Sequence, residues 1–452
     1  MILHHYLALC KDALRLAAIN TVAHALHINQ NPARCPEAIG VCAPGDGCIG
    51  QEVSRETGPR PRDSGRAPRH KAAMDLDSRY PGLTDLKQAA QRRLPKFVWE
   101  YLDSGTGSEA TKARNRVALD AIGMMPSILH GEFAPDLSTT FLGQSFPAPF
   151  GIAPVGMSGL IWADAEGHLA RSAARNGIPY CMSTAASQSP EDITPALGAH
   201  GWYQLYPPRD EEIRRDMLAR ARDAGFTTLV LTVDVPVASR RERQTRSGLR
   251  QPPKLTPRLM AQVAIRPAWA LTMARRGMPW MRTFDKYAPS TPGTLPPTAH
   301  VGYLLRTSPD RAYLDWLRRE WDGPLIVKGV LRPEDCAGLE EAGVNAIWVS
   351  NHAGRQFDGA PAAIDMLPLI REASALPLIF DSGVEGGLDI LRALTCGADF
   401  VMLGRAWHFA LAALGPQGPD YLFGMLCKDM ISNMGQLGAR NLREIPKPVA
   451  LG

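Results

Sequence analysis

The stretch "PLIVKGVLRPEDCAGLEEAGVNAIWVSNHAGRQFDG" (324–359) contains one full period of the pattern that decides the fold. "PLIVKG" (324–329) is a short apolar run, and "AIWVSN" (346–351) is a second one. Between them "RPEDCAGLEEAG" (332–343) opens with proline and acids and stops at glycine, the boundary signals of a helix. The apolar runs are continuous rather than alternating, as strands covered on both faces read. The unit is strand, helix, strand.

The same unit recurs outward in both directions. Further apolar runs are "FGIAPVG" (150–156), "YCMST" (180–184), "WYQLY" (202–206), "TTLVLTVD" (227–234), "PLIFDSG" (377–383) and "FVMLGR" (400–405). "SPEDITPALG" (189–198) and "RDEEIRRDMLARARDAG" (209–225) carry helix signals between them. Eight strand–helix repeats predict an α/β fold, a (β/α)8 TIM barrel. Two segments lie outside the rhythm: a mostly helical N-terminal lead-in over 80–125, and a long insertion, 243–310, after the fourth strand. The insertion exceeds an ordinary crossover, and loops of that length are usually functional.

Residues 28–73 are rich in Pro, Gly and Arg and cannot bury a core, so they read as a disordered linker. Order resumes at Met74. The expected organisation is therefore an extension over 1–73, disordered or non-native through an upstream start, followed by a barrel domain over 74–447. The 452 residues carry a net charge of +5, with 45% apolar and 21% charged residues. That balance describes an ordinary globular protein and does not point to nucleic acid. The eight cysteines form no regular framework, which favours a reducing, cytoplasmic setting. "CPEAIGVCAPGDGC" (35–48) matches no zinc spacing, so no metal is expected. No run reaches the roughly 18 apolar residues of a membrane span, and no secretory signal opens the chain.

In such barrels chemistry sits at the C-terminal ends of the strands. Here polar residues end nearly every apolar run: Ser183, Gln204 with Tyr206, Thr232 with Asp234, Lys328, Ser350 with His352, and Asp381. Any one of them alone reads as a turn or cap; a full ring reads as a site. The glycines of "DSGVEGGLDI" (381–390) and "LGRA" (403–406), with Arg405, suit a phosphate after the seventh and eighth strands. Lys328 ends a buried-looking run and calls for an anionic partner, either a cofactor or a carboxylate such as Asp381. An imidazole titrates near neutrality, so His352 suits base work. Arg355 can clamp a carboxylate through two parallel hydrogen bonds, and Asp234 can orient His352. A base beside a carboxylate clamp implies an acid that is oxidised or deprotonated next to its carboxylate.

"SNHAGRQFDGAPA" resembles the signature of the flavin-dependent L-2-hydroxy acid oxidases and dehydrogenases. "YLDSG", "IAPVGMSGL", "QLY", "LTVDVP", "RRER", "VKG" and "DSGVEGGLDILRAL" extend the resemblance, in order, over roughly 76–447. It implies FMN as cofactor and oxidation of an L-2-hydroxy acid, lactate-like or larger, to the 2-oxo acid. His352 would be the base, paired with Asp234. Arg355 and Arg241 would hold the substrate carboxylate, with Tyr101 and Tyr206 beside it. Pro154, Val155, Gly156, Ser183, Gln204, Thr232, Lys328 and Ser350 would surround the flavin ring; Asp381 would meet the ribityl chain, and Gly383, Gly404 and Arg405 the phosphate. A homotetramer is the assembly the resemblance implies.

Three departures from relatives carry expectations. Glu385 stands where many have arginine, near the phosphate. Gly156 stands where oxidases often carry alanine, which favours a dehydrogenase. Ala185 replaces a bulky aromatic of glycolate oxidases and should enlarge the pocket. The insertion from Arg243 to Arg282 holds nine basic residues, no acidic one, and Trp269 and Trp280. It suits a peripheral membrane interface on the inner face of the cell membrane, with electrons passed to quinone or a cytochrome; the alternative is a lid over the site. The competing functions are an oxidase producing hydrogen peroxide, a non-redox flavin isomerase, and a degenerate barrel kept as a binding subunit.

Overall fold

Eight short parallel strands close into a barrel in strict sequence order in the computed structural model, which describes residues 75–249, 256–277, 279–287 and 307–450. They are β1 (Phe150–Ile152), β2 (Tyr180–Ser183), β3 (Gly201–Leu205), β4 (Thr228–Thr232), β5 (Leu325–Val330), β6 (Ala346–Val349), β7 (Leu378–Phe380) and β8 (Phe400–Leu403). Each begins at, or immediately beside, the start of its predicted run. The strands are buried almost throughout, which is why their sequences are continuous apolar runs. The expected extension over 1–73 and the cysteine stretch 35–48 lie outside the described residues.

The barrel interior is a packed core containing Ala153, Cys181, Trp202, Val230, Trp348, Phe400 and Met402. A hairpin of Thr139–Phe141 and Gln144–Phe146 joins it, with the Phe141 and Phe146 rings 5.1 and 5.2 Å from that of Phe400. The interior is therefore solid, and chemistry is confined to one rim.

Register puts the polar strand ends side by side: Ser183 is level with Gln204, and Thr232 with Lys328. Between β5 and β6 the register slips at Lys328–Val330. Gly329 lies there at φ +106°, and a Cβ on it would meet Asp234 Cβ at 2.6 Å. Only glycine lets Asp234 come this close to the strand end.

The lead-in supplies α1 (Leu83–Arg93), α2 (Lys96–Asp103) and α3 (Ala110–Asp120). Two helices of the insertion, α4 (Pro257–Ala264) and α5 (Pro267–Arg276), fold back onto α2. Gln262 Oε1 accepts from the Phe97 amide at 3.0 Å, and Trp269 meets Phe97 edge to face at 5.8 Å. Trp269 is 2% exposed and donates to the Leu160 carbonyl. The composition of the insertion suggests an interfacial tryptophan here; the structure makes it a core residue tying the insertion to the barrel. The last strand leads into α6 (Arg405–Leu414), which packs against α1.

Candidate active site

His352 follows β6 on a strained turn. His352, Ala353 and Gly354 have φ of 54°, 53° and 71°, three left-handed residues in succession. For a residue with a side chain this costs about 1 kcal/mol or more, and such strain concentrates at functional sites. Surrounding hydrogen bonds hold the turn: the His352 amide donates to Ser350 Oγ and the Ala353 amide to Ser382 Oγ. Arg241, Met157 and Ser382, also in the left-handed region, border the same cavity.

That cavity measures about 410 Å³ and opens at the C-terminal ends of the strands. Of the predicted residues, Tyr101, Pro154, Val155, Gly156, Tyr206, Arg241, Lys328, His352, Arg355, Asp381, Gly383, Gly404 and Arg405 line it. Five others sit behind this wall. Asp234 backs His352, and Ser350 Oγ accepts from Lys328 and donates to Asp381. Ser183, Gln204 and Thr232 form a buried chain, with Ser183 Oγ donating to Gln204 Oε1 and Gln204 Nε2 to Thr232 Oγ1, each at 2.9 Å.

His352 Nδ1 lies 3.1 Å from both Asp234 oxygens, so it donates there and leaves Nε2 as the acceptor. Burial pushes the Asp234 carboxyl up, yet the electrostatic interaction with His352 and the hydrogen bond it donates outweigh this and hold it below the ordinary carboxylate value. Arg355 is anchored by the carbonyls of Tyr101, Leu102 and Ser104. Burial, and then the neighbouring charge of Arg241, push its guanidinium down to about 9, still cationic at neutral pH. Arg241 Nε donates to Ser239 Oγ. Among the described residues neither guanidinium has a carboxylate partner. Burial raises the Tyr101 and Tyr206 phenols above their ordinary value, so both are neutral donors. Tyr101 spends its hydrogen on the Gly156 carbonyl, at 2.8 Å.

Lys328 is 4% exposed, and its Nζ meets Asp381 Oδ2 at 2.5 Å and lies 4.6 Å from the Trp348 ring centroid. Of the two readings of this lysine the structure shows the carboxylate one: Asp381 is its ion-pair partner, and Lys328 also borders the cavity. The donor set fits FMN. Gly383, Gly404 and Arg405 gather after β7 and β8, where barrels bind phosphate. Glycine backbone comes close at Gly404, where a Cβ would meet Val155 at 3.3 Å.

Several residues of the site carry no signal in the sequence. Asn115 on α3 exchanges two hydrogen bonds with Asn351, locking the lead-in to the His352 turn. Asp358, conspicuous beside His352 in sequence, accepts from the Ser108 and Thr111 amides, so it anchors the start of α3 rather than serving the cavity. His408 is fully enclosed, and burial pushes it down to about 4, hence neutral. Its Nδ1 lies 2.9 Å from the Gly404 carbonyl and its Nε2 2.7 Å from Ser158 Oγ, tying the eighth strand end to the loop after β1. Met281 and Gln244 reach the cavity from the insertion. No cluster of metal-ligating side chains occurs among the described residues.

At the rim of the parallel barrel, then, a base–carboxylate pair and two guanidiniums border one cavity. A family model described as FMN-dependent dehydrogenase matches residues 90–450, and the chain belongs to that family. The L-lactate dehydrogenase of Caulobacter vibrioides is 38% identical over 371 residues, covering 81% of this chain and 96% of the relative. That of Pseudomonas aeruginosa is 38% identical over 368 residues, covering 80% and 96%. Among solved structures, the monotopic membrane protein (S)-mandelate dehydrogenase superposes with a TM-score of 0.77 at 33% identity, over 80% of this chain and 97% of that one. A mandelate oxidase superposes at 0.69 and 30% identity, over 82% and 98%.

Proposed function

We propose that the protein oxidises an L-2-hydroxy acid, lactate or a larger homologue, to the 2-oxo acid. One observation carries this: Arg355 and Arg241 border the His352 cavity, and among the described residues no carboxylate pairs with either, so the pair suits an incoming α-carboxylate. FMN, when bound, supplies the acceptor for two electrons and the substrate hydrogen. Arg355 presents a pre-anchored fork to the carboxylate and Arg241 approaches from the β4 loop, fixing the α-carbon. His352 Nε2 takes the substrate proton. Asp234, across Nδ1, stabilises the imidazolium that results. Tyr206, neutral through burial, can donate a hydrogen bond without adding negative charge, while Tyr101, its hydrogen held by the Gly156 carbonyl, shapes the wall beside it. Lys328 brings positive charge to the cofactor side of the cavity and Ser183, Gln204 and Thr232 stiffen the wall behind it.

The lining at Gly156, Ala185 and Met281 is small or flexible, which supports substrates larger than glycolate. Electrons would pass to a quinone or cytochrome at a membrane surface. Support comes from the outer side of α4 and α5, where Met260, Ile265 and Leu271 are 52%, 64% and 53% exposed beside Arg258 and Arg275. No helix among the described residues is long and apolar enough to cross a membrane. The insertion would thus serve as both lid and attachment. Cell fractionation tests it: recovery with membranes, released by detergent, is expected, and full recovery in the soluble fraction at low salt counts against it. Production of hydrogen peroxide stoichiometric with turnover in air would instead favour an oxidase. A homotetramer completes the proposal and is read by light scattering.

A further inference from the structure

Glu385 brings a carboxylate into the end of the cavity where Gly383, Gly404 and Arg405 gather. A negative side chain there opposes a phosphate unless a second cation offsets it. Lys87, on the lead-in helix α1, stands in that place. Its Nζ lies 3.5 Å from Glu385 Oε1, 3.7 Å from Asp103 Oδ1 and 5.6 Å from the Phe409 ring centroid. Leu83, one turn earlier on the same helix face, borders the cavity, and so does Phe409. Arg405 reaches the same neighbour, donating to the Asp103 carbonyl at 3.4 Å. Lys87 and Arg405 thus converge on one buried residue, Asp103, from elements far apart in sequence. The side chains of Lys87 and Glu385 are 31% and 41% exposed. A pair this open is weak and exchangeable, and a doubly charged phosphate competes well for the ammonium.

We propose that Lys87 is the second cation of the FMN phosphate site, held by Glu385 until the phosphate takes its place. The proposal rests on the FMN reading of the cavity. Lys87 precedes the matched residues 90–450, so nothing in the family match assigns it a role.

The test titrates apoprotein with FMN and, separately, with riboflavin, which lacks the phosphate, following flavin fluorescence at low salt. Lys87→Gln is expected to raise the Kd for FMN about tenfold and leave riboflavin unchanged, with Lys87→Arg restoring most of the loss. Glu385→Gln is expected to lower the Kd for FMN about threefold, again without effect on riboflavin. The proposal is overturned if Lys87→Gln leaves FMN affinity within twofold of wild type, or weakens both flavins equally. Wild-type apoprotein that binds neither flavin would overturn the FMN reading itself, a distinct result.

Discussion

Replacing Arg355 by methionine removes the fork that the carbonyls of Tyr101, Leu102 and Ser104 hold in place. Methionine fills similar apolar volume but cannot meet a carboxylate. Two charge-assisted hydrogen bonds of about 1.5–3 kcal/mol each are lost, about 3–6 kcal/mol in all. In kcat/KM that is a loss of about 10²- to 10⁴-fold. Arg355→Lys keeps the charge without the planar fork and should fall between, near 10²-fold. The assay is anaerobic stopped-flow bleaching of the bound flavin by L-lactate and by its amide, which lacks the carboxylate charge. Wild type should prefer the acid strongly, and Arg355→Met should erase most of that preference. A variant that holds flavin yet keeps kcat/KM within tenfold of wild type, with the preference intact, would refute the clamp.

Three further outcomes follow from the geometry. Asp234→Asn removes the charge behind His352 and should slow flavin reduction about 10²- to 10⁴-fold with little change in substrate KM; an equal loss in KM alone contradicts the pairing. Ala185→Phe fills the wall facing Gly156, where even a single added methyl group would lie 3.2 Å from Ala185 Cβ. It should depress mandelate turnover at least about tenfold relative to lactate; uniform loss for both acids contradicts the pocket assignment. Burial raises the Asp103 carboxyl, but Lys112 and Arg243 overcome this and hold it well below the ordinary range. The native state then binds fewer protons than the unfolded chain, so Asp103 stabilises above about pH 4 and this is lost as pH falls. Thermal melts of Asp103→Asn should lie below wild type at pH 7 and converge with it in acid; a constant gap contradicts the linkage.

The barrel is legible because its strands are buried on both faces, leaving no alternation to confuse with an exposed sheet. The site is legible because polar residues interrupt those runs at their ends, where register lines them up. What stays hidden depends on contacts distant in sequence. Nothing local to Asn115 announces its pairing with Asn351, nor does His408 announce Ser158. Trp269 misleads because α4 and α5 carry apolar residues on two sides, and sequence alone does not say which side meets the barrel. "SPEDITPALG" keeps its helix signals, with Ser189 capping Asp192, but yields only Pro190–Ile193 and a 3-10 turn before Gly198.

The most direct measurement mixes the FMN-loaded protein anaerobically with L-lactate, L-mandelate and their D-enantiomers while recording the visible flavin spectrum. Rapid bleaching by the L-acids alone is the expected result, with the 2-oxo acid formed in equal amount to reduced flavin. A flavin that keeps its colour with every 2-hydroxy acid, or bleaches equally with both enantiomers, would contradict the central claim.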